Sequence, residues 1–465
     1  MRHLLLAGFT GMLLSGTAAA APRFVDDPYP STYRPIASAP VLIEHATVLT
    51  GTGQRLDDAA VLLADGRVQA VGRALSAPAS AVRVDARGKW VTPGIIDIHS
   101  HLGVYPSPGV KAHSDGNEMT APVTPNVWAE HSIWPQDPGF LTALAGGITS
   151  LQVLPGSANL IGGRGVTLKN VPATTYQAMK FPGAPWGLKM ACGENPKRVY
   201  GEKGGPGTRM GNVAGYRAAF IDAAEYLQKN APKKTAPKKR WWSRGGDEDS
   251  GGDSGGKRDL KLDTLAGAIN GDIRVHIHCY RADEMATMLD LSKEFGFHVT
   301  AFHHAVEAYK IADRLAAENV CAGMWADWWG FKMEAFDGIQ ENIALVDRAP
   351  NSCAIVHSDS EEGIQRLNQE AAKAMASARR AGIDIAPEHA IVWLTANAAK
   401  ALGIDKQTGT LEAGKMGDVV VWNGSPFSSY ALAEQVYVDG AEVYDRNQRR
   451  LQPTSDFMLG QEVAP

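Results

Sequence analysis

The chain has 465 residues, 46 Lys+Arg against 50 Asp+Glu, a formal net charge of −4 and 44% hydrophobic residues. That length suits either three small domains or one large α/β barrel with a companion, since barrels run past about 250 residues as one unit. The near-neutral charge excludes a global electrostatic draw to nucleic acid or an anionic membrane, and 4 Cys without a Cys-x-x-Cys pair exclude a disulfide-dense or zinc-finger scaffold.

Residues 1–21 read as a secretory signal peptide. Met1-Arg2-His3 is basic, 4–15 is apolar, and small residues from Thr17 to Ala21 suit cleavage near Ala20 or Ala21. The apolar run is shorter than the roughly 20 residues of a membrane span. The expectation is an exported protein, periplasmic or secreted, with no membrane attachment after cleavage.

Residues 38–91 carry short strands. An apolar run at 41–50, another at 60–64, the pair Asp65-Gly66 and a third run at 67–71 form a hairpin signal. Residues 404–450 hold a second group, with Val419, Val420 and Val421 followed by runs at 436–438 and 442–444. Isolated hairpins are marginal in water, so the two ends are expected to combine into one small β-sandwich domain.

Between them, residues 92–403 alternate apolar strands, at 147–153, 188–192, 273–278, 297–302, 321–325 and 353–356, with helical stretches. Met285, Met288, Leu289 and Phe295 fall at helical spacing. Strand alternating with helix over about 300 residues argues for a (βα)8 TIM-like barrel. The fold class is therefore α/β. Residues 229–257 interrupt the pattern. Lys238-Lys239-Arg240 and Trp241-Trp242 precede a run of Gly, Ser and Asp, which predicts a flexible low-complexity insertion. Basic and acidic halves so close together argue against a nucleic-acid patch.

The densest chemistry lies in Thr92-Pro-Gly-Ile-Ile-Asp-Ile-His-Ser-His101. Alternation along a strand puts Asp97, His99 and His101 on one face. Two imidazoles at i and i+2 at the C-terminal end of a barrel strand can both reach one metal ion, and that end is where barrel active sites sit. This segment, with the closing run Gly409-Thr-Leu-Glu-Ala-Gly-Lys-Met-Gly-Asp418, resembles the amidohydrolase superfamily of metal-dependent hydrolases, in its imidazolonepropionase-like and prolidase-like branch. The resemblance covers almost the whole chain after the signal segment.

The resemblance implies further metal ligands on later strands. Val275-His-Ile-His278 offers His278 at the strand exit, with His276 deeper as a core or supporting residue. Ala301-Phe-His-His-Ala-Val-Glu307 offers His304, with His303 as the alternative. Val356-His-Ser-Asp359 supplies Asp359 as ligand and proton shuttle, with His357 in a supporting place. On the fourth strand Glu194 is preferred for its exit position over Lys189, which would serve as a carbamate. One or two divalent ions, zinc first, are implied. Arg198, Tyr280 and Arg281 are candidates for gripping a substrate carboxylate. Trp325, Trp328 and Trp329 follow a strand and are candidates for a pocket wall or for packing at the barrel rim.

The implied activity is cleavage of an amide C–N bond, in a dipeptide or N-acyl amino acid, by metal-activated water. A cyclic amide of the imidazolonepropionase kind and deamination are the other enzymatic readings, and a catalytically inactive scaffold is the non-enzymatic one. The expected partner is a small molecule, and self-association is left open. Cys192, Cys279, Cys321 and Cys353 lie on or beside barrel strands and are expected as buried free thiols, with bridges allowed in an oxidising compartment.

Overall fold

The computed structural model describes residues 27–230, 258–328 and 330–448. The expected signal peptide, Trp329 and all of the expected insertion except residues 229–230 lie outside the described residues.

Both chain ends enter one sheet. Its strands are β1 (Val41–Leu49), β2 (Arg55–Ala64), β3 (Arg67–Gly72), β4 (Val82–Asp85) and β5 (Trp90–Pro93) from the first end. The second sheet is formed by β6 (Ile95–Ser100), β7 (Ile148–Val153), β8 (Ile161–Lys169), β9 (Gly187–Ala191), β10 (Arg274–Cys279), β11 (Val299–His304), β12 (Cys321–Met324) and β13 (Ala354–Val356). The chain then returns to the first sheet with β14 (Val419–Trp422), β15 (Ala433–Val438) and β16 (Ala441–Asp445).

In the first sheet the order is β16-β15-β14-β5-β1-β2-β3, with β4 beside β1. The Asp65-Gly66 hairpin is present: Ala64 faces Arg67, and both turn residues have positive φ, 54° and 76°, as a tight two-residue turn between right-twisted strands requires. The two ends meet where β5 pairs antiparallel with β14, from Val419 opposite Pro93 to Trp422 opposite Trp90. Ile43, Val48, Val61, Val91, Val421 and Tyr437 bury their side chains in one apolar cluster.

The second sheet runs β13-β12-β11-β10-β9-β8-β7-β6. Seven strands are parallel; β8 alone runs antiparallel, to both β7 and β9. This corrects the expectation of an unbroken series of strand–helix units. The sheet is nearly closed, because the turn after β13 returns to β6: the Asp359 N–H donates to the His99 carbonyl at 2.9 Å, and Asp97 accepts from the Ser358 N–H at 3.2 Å. The fold is thus mixed α/β around a nearly closed, barrel-shaped sheet.

The sheets are joined tightly. At Gly94, between β5 and β6, a Cβ would lie 2.0 Å from Thr149 Oγ1, so only glycine allows this approach. Lys169, at the end of β8 and fully buried, donates to Asp418 at 2.8 Å and to Asp439 at 3.1 Å, and Asp439 also accepts from Tyr33. Within the second sheet, the four cysteines expected as free thiols instead form two bridges. Cys192 is bonded to Cys279 and Cys321 to Cys353, each bridge linking adjacent strands of the barrel-shaped sheet.

Candidate metal centre

The register explains why so many polar side chains meet inside this sheet. Lys189 on β9 faces His276 on β10, and His278 faces His303 on β11. Residues in register point to the same side of a sheet, so Lys189, His276, His278 and His303 share the interior by alternation alone. His304, one step further, would point outward. Its backbone instead adopts φ 71°, and Asp359, past the end of β13, adopts φ 57°. Left-handed backbone at two non-glycine residues is uncommon and turns both toward the centre.

At that centre the Nε2 atoms of His99 and His101 lie 3.1 and 3.0 Å from Asp359 Oδ1, and His304 Nε2 lies 3.9 Å from Asp359 Oδ2. His99, His101 and Asp359 bring ligand atoms within 4.8 Å of one another; so do His99, His304 and His357. Lys189 Nζ stands 3.1 Å from His99 Nε2. The His278 and His304 rings are 4.5 Å apart.

The electrostatics favour a cation at this point. Burial holds His99, His278 and His304 neutral, well below the usual imidazole range. Burial also pulls Lys189 down to about 8, with the Asp359 charge opposing it. For Asp359 burial alone would raise the carboxyl, but His304, His101 and Lys189 hold it well below the usual carboxylate range. Buried polar atoms without partners cost on the order of 1–3 kcal/mol each. His278 Nε2 and both ring nitrogens of His304 are such atoms. Neutral imidazoles, a carboxylate and a lysine able to shed its proton are the donor set of a divalent transition metal, so the residues fit the expected ion.

The remaining candidates divide. Glu194, the preferred fourth-strand residue, does not join the cluster. Gly193 has φ 82° and ends the extended run, so Glu194 opens the helix Glu194–Tyr200, with its carboxylate 3.6 Å from Lys332 Nζ. Lys189 occupies the position instead. His303 is drawn inward to hydrogen-bond His99 and His276. His357 accepts the His304 N–H at 2.9 Å and braces the left-handed residue.

Tyr280 lies against His304. Arg281 turns away to a bidentate pair with Asp283, and Arg198 is exposed. Trp325 stacks on His304 with ring centres 4.3 Å apart and on Trp328 at 4.9 Å. Sequence reasoning missed Lys332, whose ammonium lies 4.0 Å over the Tyr280 ring; no spacing rule reaches a residue in the irregular segment after β12.

Residues 262–445 match the amidohydrolase family. An amidohydrolase from Thermotoga maritima of known structure is 35% identical, with a TM-score of 0.76, and the match covers 87% of this chain and 100% of that one. The chain belongs to the amidohydrolase family. Amidohydrolase tasK of Hapsidospora irregularis is 31% identical over 439 residues, which is 87% of this chain but 43% of that protein's length. A shorter match, 39% identical over 66 residues, 12% of this chain and 17% of the relative, is to imidazolonepropionase of Saccharopolyspora erythraea.

Proposed function

We propose that the chain is a metal-dependent hydrolase that cleaves an amide C–N bond, with a dipeptide or N-acyl amino acid as the substrate class. The observation that carries this reading is the convergence of His99, His101, Lys189, His278, His304 and Asp359 from the ends of four strands and the turn after β13, with ring nitrogens of His278 and His304 left bare. An inactive scaffold has no need of such an arrangement, since each unpaired group destabilises the fold.

His99, His101 and Asp359 would hold one ion. Lys189, as a neutral amine able to form a carbamate, would with His278 and His304 complete a second place. Zinc is the first choice for neutral imidazole and carboxylate donors. When bound, such an ion polarises a carbonyl and lowers the pKa of water from about 15.7 toward about 7.

The protein's own groups supply the rest. Asp359, a quarter exposed and aimed at the centre, takes a proton from the attacking water at its carboxylate. It then gives that proton to the leaving nitrogen, so water and amide become carboxylic acid and amine. His101 is oriented by donating Nδ1–H to the Leu154 carbonyl at 2.9 Å. Trp325 and Tyr280 are buried beside His304 and limit water there. Lys332, over the Tyr280 ring and shared between Glu194 and Glu334 at 3.6 and 3.4 Å, is the cation placed to take up a substrate carboxylate.

The fold reading that goes with this is a (βα)8-type barrel over 92–403, modified by the antiparallel β8, with a sandwich over 38–91 and 404–450. Export behind a cleaved signal at 1–21 fits the two disulfides, which persist in oxidising compartments. The short imidazolonepropionase match favours cyclic amides as the second substrate class. The test is a panel of dipeptides, N-acyl amino acids and lactams assayed with wild type and Asp359→Asn. The expected result is hydrolysis of a linear amide that falls by at least about 10²-fold in the variant. Equal activity in the two proteins refutes the assignment.

A further inference from the structure

We infer that His303 is a positioning residue for metal capture, acting through a chain of three buried imidazoles that decides which nitrogen of His99 is bare. The inference rests on the metal-hydrolase reading of the same site. His99 Nδ1 lies 3.0 Å from His303 Nδ1, and His303 Nε2 lies 2.9 Å from His276 Nδ1. All three side chains are completely buried.

A neutral imidazole carries one N–H and one lone pair. A chain of three such rings therefore has two self-consistent proton arrangements. In the first, the protons sit on His99 Nδ1, His303 Nε2 and His276 Nε2, each link donating toward His276. His99 Nε2 is then a bare lone pair directed at the cluster. In the second, the direction reverses, and His99 Nε2 carries the proton and points it at Asp359 Oδ1, 3.1 Å away. Only the first can bind an ion.

His101 has no such ambiguity. Its Nδ1 faces the Leu154 carbonyl, which can only accept, so its Nε2 is bare by construction. The hydrogen bond at a ligand histidine's far nitrogen generally sets its tautomer. For His99 that role falls to a ring that can accept or donate, which makes the acceptor lone pair on His303 Nδ1 the feature that selects the competent form. The outer end of the chain is permissive: His276 Nε2 has no hydrogen-bond partner among the described residues, so it holds the proton in the first arrangement without a competing donor.

Conservative variants separate positioning from packing. Asparagine places an amide oxygen near the Nδ1 position and keeps the acceptor for His99; glutamine places its amide near Nε2 and loses it; leucine fills space alone. The measurement is the Co²⁺ dissociation constant of the full chain by chelator competition, with the visible Co²⁺ spectrum as a second readout. His303→Leu and His303→Gln are expected to weaken Co²⁺ about 10- to 100-fold and to alter the spectrum, while His303→Asn stays close to wild type. Equal affinity in wild type, His303→Leu and His303→Gln overturns the inference, as does an Asn variant as weak as Gln. If the Leu variant fails to fold, the Asn and Gln comparison still decides. A wild-type chain that binds no Co²⁺ overturns the functional reading as well, whereas tight binding unaffected by these variants overturns only the role of His303.

Discussion

Replacing both Cys192 and Cys279 by alanine should lower the melting temperature by a calculable amount. The bridge spans a sequence separation of 87, and the loop-entropy relation gives about 4.5 kcal/mol for a closed loop of that size. Unfolding entropy of about 2.1 cal/mol/K per residue over this chain gives about 1 kcal/mol/K, so the midpoint should fall by about 4–5 °C. Alanine is the right replacement, because Cys192 and Cys279 are buried and a serine hydroxyl would add an unpaired polar group. The assay is circular dichroism melting of oxidatively folded wild type and the double variant without reductant. The same change should also loosen the site, since Cys279 follows His278 and its carbonyl accepts the Ala305 N–H beside His304. An unchanged midpoint, or alkylation of all four thiols in native unreduced wild type, would refute the reasoning.

Three further outcomes follow from single contacts. Lys169→Met strands the Asp418 and Asp439 carboxylates in the interior and should cost about 3–5 kcal/mol in urea unfolding, with part recovered by adding Asp439→Asn; an unchanged midpoint contradicts the role given to this triad. Asp347, 2.7 Å from His389, raises the imidazole above its ordinary 6.5. A raised folded value means the pair stabilises fully below the unfolded pKa and less as pH climbs through the folded one. His389→Gln should therefore flatten the fall in melting temperature with rising pH in that window, and parallel curves would show the pair to be neutral. Lys332→Met should raise KM about tenfold for substrates bearing a carboxylate with little change in kcat, and an amidated analogue should show no such rise.

The histidine pair at 99 and 101 and the alternating ends are readable because strands carry them: His99 lies in β6 and His101 one residue past its end, and along a strand a period of two settles the facing side chain. Reading failed where strands stop. Glu194 is preferred for its place at the exit of the fourth strand, but β9 ends at Ala191 and the positive φ of Gly193 breaks the extended run, so that Glu194 starts a helix. His304 and Asp359 could be named from their motifs but not aimed, because left-handed backbone turns each of them inward. The β8 strand escaped notice since Gly162, Gly163, Gly165 and two cations make it look like a loop. It is held as a strand by partners on both sides and by Arg164, buried beside Trp128 and Trp186. Cysteine pairing depends on cross-strand register, which spacing along the chain does not reveal.

Metal content measured by inductively coupled plasma mass spectrometry tests the central claim most directly. Wild type purified without chelator, then incubated with zinc and desalted, should carry one or two equivalents of a divalent ion. The His101→Ala/His304→Ala variant, if its circular dichroism matches wild type, should retain far less. A folded wild-type protein that holds no stoichiometric ion, or a double variant that holds as much as wild type, would contradict the account.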